Sequence, residues 1–240
     1  MDDAQSAGLT DEILEDCLQA LHRVEAQGRG ATLEDVVAFA GISPAVADAA
    51  FTELRTRGLM DSGSDRLALS GEGRRQAAAV LRRHRLSERL LTDVLGLPWD
   101  RVHDEAMRLE HSLTPEAETR LKSLLNDPDT CPHGGPIPGH DDFPAAPKAQ
   151  RLDTVPAGTH VHIEQVTEEE ATLLRYLASL GLLPQAELVV EEVAPFGGPL
   201  LVRVGGARYA IGRDVAAKIL VCGDREPPGL RRRRRNRRGR

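Results

Sequence analysis

Aromatic residues are scarce in this 240-residue chain, at 3% of the total, so a surface that grips single-stranded bases by ring stacking has little to be built from. Long apolar runs are missing as well. No stretch approaches the roughly 20 residues that a membrane-crossing helix needs, and the acidic start MDDAQSAG lacks the charged-then-apolar order of a secretory leader. A soluble, cytoplasmic protein without a membrane partner is the expectation. Three cysteines, Cys17, Cys131 and Cys222, stand far apart and odd in number, which argues against a disulfide framework and for reduced thiols. The paired Cys-x-x-Cys of a zinc ribbon is absent, and so is the His-Glu-x-x-His of zinc proteases.

Charge is present but unevenly spread. The formal net charge is −6, yet residues 231–240, RRRRRNRRGR, hold eight arginines; taking these away leaves −14 on the remainder. Such a tail suits sequence-independent attraction to phosphates, or a solvated end kept in solution by its own charge.

Hydrophobic periodicity divides the chain. Ile13, Leu14, Cys17, Leu18 and Leu21 recur at helical spacing and stop near Gly28. Thr32 caps a second helix carrying Leu33, Val36, Val37 and Ala40, which ends at Gly41. Ser43-Pro44 then supplies an N-cap and a first-turn proline for a third helix with Ala47, Ala50, Phe51 and Leu54 on its buried face. A polar stretch at 62–65 between Leu59-Met60 and Leu67-Ala68-Leu69 reads as a small hairpin. Three helices and a hairpin make a winged helix-turn-helix.

Longer helices are expected at about 74–95 and 98–113, and a third after Thr114-Pro115-Glu116. Their apolar surface exceeds what one subunit covers readily, which predicts a homodimer through 75–125. The Pro/Gly-rich 127–149 reads as a linker. Short β-prone runs at 161–166, 187–193, 200–204 and 209–211, with a helix at 171–180, predict a small barrel. The fold class is therefore mainly α with a smaller β part: a winged helix-turn-helix DNA-binding domain (1–73), a helical metal-binding and dimerisation domain (74–126), the linker, an SH3-like β-barrel (150–223) and an Arg-rich tail (224–240).

Metal-binding chemistry concentrates in RRHRLSERLL (82–91) and RVHDEAMRLEHSLT (101–114). Helical spacing puts His84 and Glu88 on one face, and His103, Met107, Glu110 and His111 on one stripe of the next helix. Imidazole, carboxylate and thioether together suit a first-row divalent ion. Spacing alone leaves surface ion pairs and a core methionine as equally good explanations.

HRLSERLLTDVLGL (84–97), VHDEAMRLEH (102–111) and CPHGGPIPG (131–139), in that order, resemble the iron- and manganese-dependent regulators typified by the diphtheria toxin repressor. RYLASLGLLPQAEL (175–188) is similar to that family's SH3-like barrel, so the resemblance spans about 10–222. It implies two metal sites per subunit. One would use His84, Glu88 and His103, completed by an acid from the barrel, Glu168 or Glu169. The other, controlling activity, would use Asp16, Met107, Glu110 and His111. Asp16 resembles the manganese-responsive branch, while Met107 stands where iron-responsive members carry cysteine, so the cofactor is Fe(II) or Mn(II), with ligand softness leaning towards Fe(II).

The function implied is a dimeric, metal-dependent repressor of double-stranded DNA that controls metal homeostasis. A dimer must hold two recognition helices about 34 Å apart to enter successive major grooves, and an ion joining the first helix to the dimerisation helix would fix that spacing. Candidate DNA contacts are Ser43, Ala45, Val46, Asp48, Ala49, Arg55 and Arg57. Val46, Asp48 and Ala49 depart from the family, which has small polar or amide side chains there; alanine offers a base edge no hydrogen bond and aspartate repels phosphate. The alternative is a metal-binding protein of the same fold with weakened sequence recognition. A metalloenzyme ranks behind both, because no nucleophile or general-base pairing is discernible.

Overall fold

The computed structural model describes residues 9–26, 28–61, 67–139, 149–167 and 170–223. The expected hairpin loop at 62–65 with residue 66, part of the expected linker at 140–148, Glu168 with Glu169, and the Arg-rich tail lie outside the described residues. The chain divides into two compact units. One comprises Met1–Leu90, Asp104–Pro128 and Ile137–Ala145; the other comprises Leu91–His103, Asp129–Pro136 and Ala146–Arg240.

In the first unit, helix α1 (Asp11–Ala26) buries Leu14, Cys17, Leu18, Leu21 and Val24 along one stripe, the period expected of a core-facing helix. Helix α2 (Leu33–Ala40) opens on a capping box, in which Thr32 and Asp35 satisfy each other's backbone N–H groups. It closes at Gly41, whose φ of 63° is the left-handed C-cap that glycine adopts without strain. Helix α3 (Pro44–Thr56) starts from the Ser43 cap and buries Ala47, Ala50, Phe51 and Leu54. These side chains share one core with α1 and with Leu59, Met60 and Leu69. Met60 bridges Leu69 antiparallel, and Ala31 bridges Leu67, so the wing is a three-stranded element of minimal length.

Helix α4 (Gly71–Arg89) begins at the Ser70 cap. A Cβ at Gly73 would lie 1.9 Å from the Leu59 carbonyl oxygen, so only glycine lets α4 come this close to the wing. α4 is shorter than the periodicity predicts, because residues Leu90–Val94 widen into one π-helical turn. Helix α5 (Val102–Leu109) is also shorter, starting four residues after Pro98 and tightening into a 3-10 turn at Glu110–Ser112. Helix α6 (Pro115–Leu124) follows the Thr114 cap. The buried Arg82 guanidinium of α4 reaches Glu118 of α6 at 2.5 Å and the Gly139 carbonyl at 2.9 Å.

The second unit is a six-stranded antiparallel sheet. Its strands are β1 (Gln150–Arg151), β2 (Thr159–Val166), β3 (Glu187–Val193), β4 (Leu200–Val204), β5 (Ala207–Ile211) and β6 (Ile219–Gly223), in spatial order β1-β6-β2-β3-β4-β5. Helix α7 (Ala171–Ser179) interrupts it after β2, and the short α8 (Arg213–Ala216) after β5. Val161, Ile163, Val190, Leu200, Val202 and Val221 alternate inward to an apolar core with Leu174 and Leu177 of α7. The stretch expected as a linker is partly packed: Cys131, His133 and Gly134 are buried, and Val166 donates its N–H to the His133 carbonyl at 2.9 Å. No single helix among the described residues is long and apolar enough to cross a membrane.

Candidate metal centre

Three elements of the first unit converge on one polar cluster. Helical spacing presents Glu15, Asp16 and Gln19 from α1, α4 supplies Arg83 and His84, and the 3-10 turn after α5 supplies Glu110 and His111. One ligand atom each from Asp16, Glu110 and His111 lies within 4.8 Å of the others. Asp16 Oδ1 is buried without a well-aligned donor, and His111 Nε2 stands 3.2 Å from it. Glu110 is fully buried. Gln19 Nε2 donates to its Oε1 at 2.8 Å and His84 Nδ1 to its Oε2 at 2.5 Å. A buried carboxylate needs such partners, because an unpaired charge away from water costs several kcal/mol.

The two histidines are held charged by their neighbours. The close carboxylates of Asp16 and Glu15 push the His111 pKa up to about 10 against the opposing effect of burial. Burial opposes charge on His84, but Glu88 and Glu110 on either side overcome it and raise that pKa to about 10 as well. Burial pushes the Glu15 carboxyl up, and its hydrogen bonds to His111 (2.7 Å) and Arg83 (2.7 Å) outweigh this and hold it below the usual range. Each imidazolium therefore occupies, between carboxylates, a place where a divalent cation has the same electrostatic reason to be. The carboxylate and imidazole donors fit such an ion, with oxygen and nitrogen ligands of borderline softness.

His84 and Glu88 sit one turn apart on α4, with Nε2 and Oε1 3.3 Å apart and both side chains buried. Met107 is half-buried one turn before Glu110. His103 is half-buried and belongs to the second unit, and Glu168 is outside the described residues. Glu15, Gln19 and Arg83 did not stand out in the sequence. Their signal was adjacency: each neighbours a candidate ligand in the chain or lies one helical turn away.

The candidate DNA contacts on α3 separate by exposure. Ala45, Asp48, Ala49 and Arg55 face solvent, whereas Val46 is half-buried. The Ser43 hydroxyl accepts the Val46 N–H at 3.3 Å as the helix cap. Arg57 is drawn into ion pairs with Glu53 (2.7 Å) and Asp11 (2.9 Å). Thr52, which the sequence reading passed over, is exposed on the same face, its hydroxyl donating to the Asp48 carbonyl at 3.0 Å.

A winged helix whose first helix shares a carboxylate–imidazole cluster with the turn after α5 places a candidate cation site beside a DNA-binding type of fold. Comparison with known proteins agrees. Residues 70–139 match the iron dependent repressor, metal binding and dimerisation domain, and residues 150–222 match the FeoA domain. The iron-dependent repressor IdeR of Mycobacterium leprae is 38% identical over 172 residues, covering 67% of this chain and 74% of that protein. The diphtheria toxin repressor of Corynebacterium jeikeium is 42% identical over 155 residues, covering 55% of this chain and 64% of that protein. Among solved structures, a manganese-dependent transcriptional repressor in complex with manganese superposes with a TM-score of 0.81 at 32% identity, covering 88% of this chain and 100% of that one. The chain belongs to the family of iron-dependent repressors that includes IdeR and the diphtheria toxin repressor.

Proposed function

We propose that this protein is a dimeric transcriptional repressor whose hold on double-stranded DNA is switched on by Fe(II) or Mn(II). The observation that carries this reading is the meeting of Asp16 with Glu110 and His111, because it joins the helix that packs on α3 to the segment matched as metal-binding and dimerising. Asp16, Glu110 and His111, with the Met107 thioether, would hold the controlling ion. An ion there supplies a fixed positive charge and a coordination geometry that draws its ligands together. The chain's own part is to present the ligands and to keep them in register: Gln19 and His84 pin the Glu110 carboxylate, and Arg83 pins Glu15. With α1 fixed by Asp16, α3 is fixed through the apolar core they share, which selects the DNA-competent arrangement from the others available.

The second ligand set rests on the family's pattern: His84, Glu88, His103 and an acid near 168. In the same reading 1–73 reads DNA, 74–126 holds metal and dimerises, 150–223 is the barrel, and 224–240 adds phosphate attraction. Solvent exposure of Leu124, at 63%, favours a second copy on the helical part. The test is electrophoretic retardation of genomic fragments upstream of metal-transport genes, under anaerobic conditions with Fe(II) or Mn(II) and with chelator. Retardation that needs the metal and disappears in Asp16→Ala is expected; equal retardation in chelator overturns the reading.

A further inference from the structure

A second cluster of ligand-type side chains stands on the sheet of the second unit. His162 and Glu164 lie two residues apart on β2, and Cys222 on β6 is the direct cross-strand partner of His162. The pleat sends Val161, Ile163 and Val221 into the core, so His162 and Cys222 share the opposite face. Between Ile163 and Gln165 the pairing with β6 slips by one residue, leaving Glu164 as the inserted residue of a β-bulge. A bulge re-aims the side chain it carries, and here the Glu164 carboxylate turns to His162, with Oε2 and Nε2 3.1 Å apart. The bulge is held from outside: a Cβ at Gly134 would lie 2.0 Å from the Glu164 carbonyl oxygen, and Val166 bonds the His133 carbonyl.

The result is an imidazole, a carboxylate and a thiol with one ligand atom each within 4.8 Å of one another. His162 is buried although it faces away from the apolar core, while Glu164 and Cys222 are half-buried, so one side remains open to solvent. Ligand atoms around a tetrahedral ion with bonds of about 2.0–2.3 Å stand about 3.3–3.8 Å apart. The cluster is within about an ångström of that spacing, which side-chain rotation alone supplies.

We propose that His162, Glu164 and Cys222 form a third cation site, on the barrel, for a thiophilic divalent ion of the Zn(II) or Co(II) class. It differs from the centre on α1 and α5 in offering a thiolate, the ligand that shifts preference towards softer ions. Binding forms a metal–sulfur bond at Cys222 and releases the thiol proton to solvent, with water completing the coordination. Of the other cysteines, Cys17 is fully buried in the apolar core of the helical unit. Cys131 is removed by substitution in the test.

The full-length Cys131→Ser protein is titrated with Co(II) and followed by near-ultraviolet absorption, where thiolate-to-Co(II) charge transfer gives a band that oxygen and imidazole ligands do not. A band present in Cys131→Ser and lost when Cys222→Ser is added is expected. No band in Cys131→Ser, or a band surviving in the double variant, overturns the proposal. In parallel, alkylation of the Cys222 peptide in the wild-type chain is timed by mass spectrometry with and without Zn(II). Slowing by Zn(II) that is lost in His162→Ala is expected, and a rate indifferent to Zn(II) overturns it, independently of how Cys131→Ser folds.

Discussion

Replacing Glu110 by alanine separates its two roles, as a ligand and as the anchor of the metal-free cluster. In the folded chain its carboxylate is fully buried and accepts from Gln19 at 2.8 Å and His84 at 2.5 Å, with His111 Nε2 at 3.7 Å. Removing one partner of a buried charged pair costs about 3–5 kcal/mol, because the other is left charged and uncompensated. At about 2–4 °C per kcal/mol for a chain of this size, the unfolding transition of the first unit should fall by about 6–20 °C in chelator. Glu110→Gln keeps an amide oxygen for one donor and should fall by about half as much. His111→Ala should be milder, about 1–2 kcal/mol, because Arg83 continues to satisfy Glu15. Metal at a hundredfold excess over Kd for this site adds about 2.7 kcal/mol to the wild type, and each alanine variant should lose that share of the metal-induced gain, keeping only what the other ligand sets supply. Scanning calorimetry in chelator and in Mn(II) measures both effects. A Glu110→Ala transition within about 2 °C of wild type in chelator would refute the argument that this carboxylate is the cluster's electrostatic anchor.

Three further outcomes are expected. His111 is raised to about 10, so it is charged throughout the neutral range and must lose its proton before it can ligate; calorimetric titration in buffers of different ionisation enthalpy should show about one proton released per ion by this residue, affinity rising as pH is raised and falling as it is lowered, and His111→Ala removing that proton. Gly134→Ala places a Cβ 2.0 Å from the Glu164 carbonyl oxygen at a φ of +87°, so the barrel should lose about 3 kcal/mol or more, read as a lower midpoint in urea. Deleting 231–240 should weaken binding about equally for operator and unrelated duplex and flatten the log–log salt slope by about 0.9 per lost phosphate contact; an unchanged slope assigns the tail to solubility.

Three helix starts were legible because caps are written in side chains: Thr32, Ser43 and Thr114 each accept a backbone N–H where polar residues precede apolar periods, whereas α4 starts three residues before the expected 74, at the Ser70 cap that Gly71 and Gly73 obscure. Strands β3 and β4 were legible from runs of β-branched and leucine residues between turns. β6 was not, since Ile219–Gly223 is a short apolar run that gains its meaning from pairing with β2, a contact distant in sequence. The ends of α4 and α5 were misjudged for a related reason: a π turn and a 3-10 turn preserve apolar spacing while changing the backbone. Asp16, Glu110 and His111 do come together. The partners that hold them do not announce themselves, because Gln19, Arg83 and Glu15 look like any polar face of an amphipathic helix.

Helix α1 is held at two levels. Asp11, in its first turn, pairs with Arg57 just past the end of α3, and Asp16, in its middle, meets His111. At 1.5 Å per residue its 16 residues span about 24 Å, so it has the geometry of a lever arm with its load near one end and its fulcrum at Asp16. A tilt of a few degrees about Asp16 displaces the far ends on the order of an ångström. In the proposed dimer two such arms are related by a two-fold rotation, so the same small tilt enters the separation of the two reading heads twice over. On the proposed reading, the length of this one helix, as much as the chemistry of the side chains it carries, then sets how far a small tilt moves each reading head.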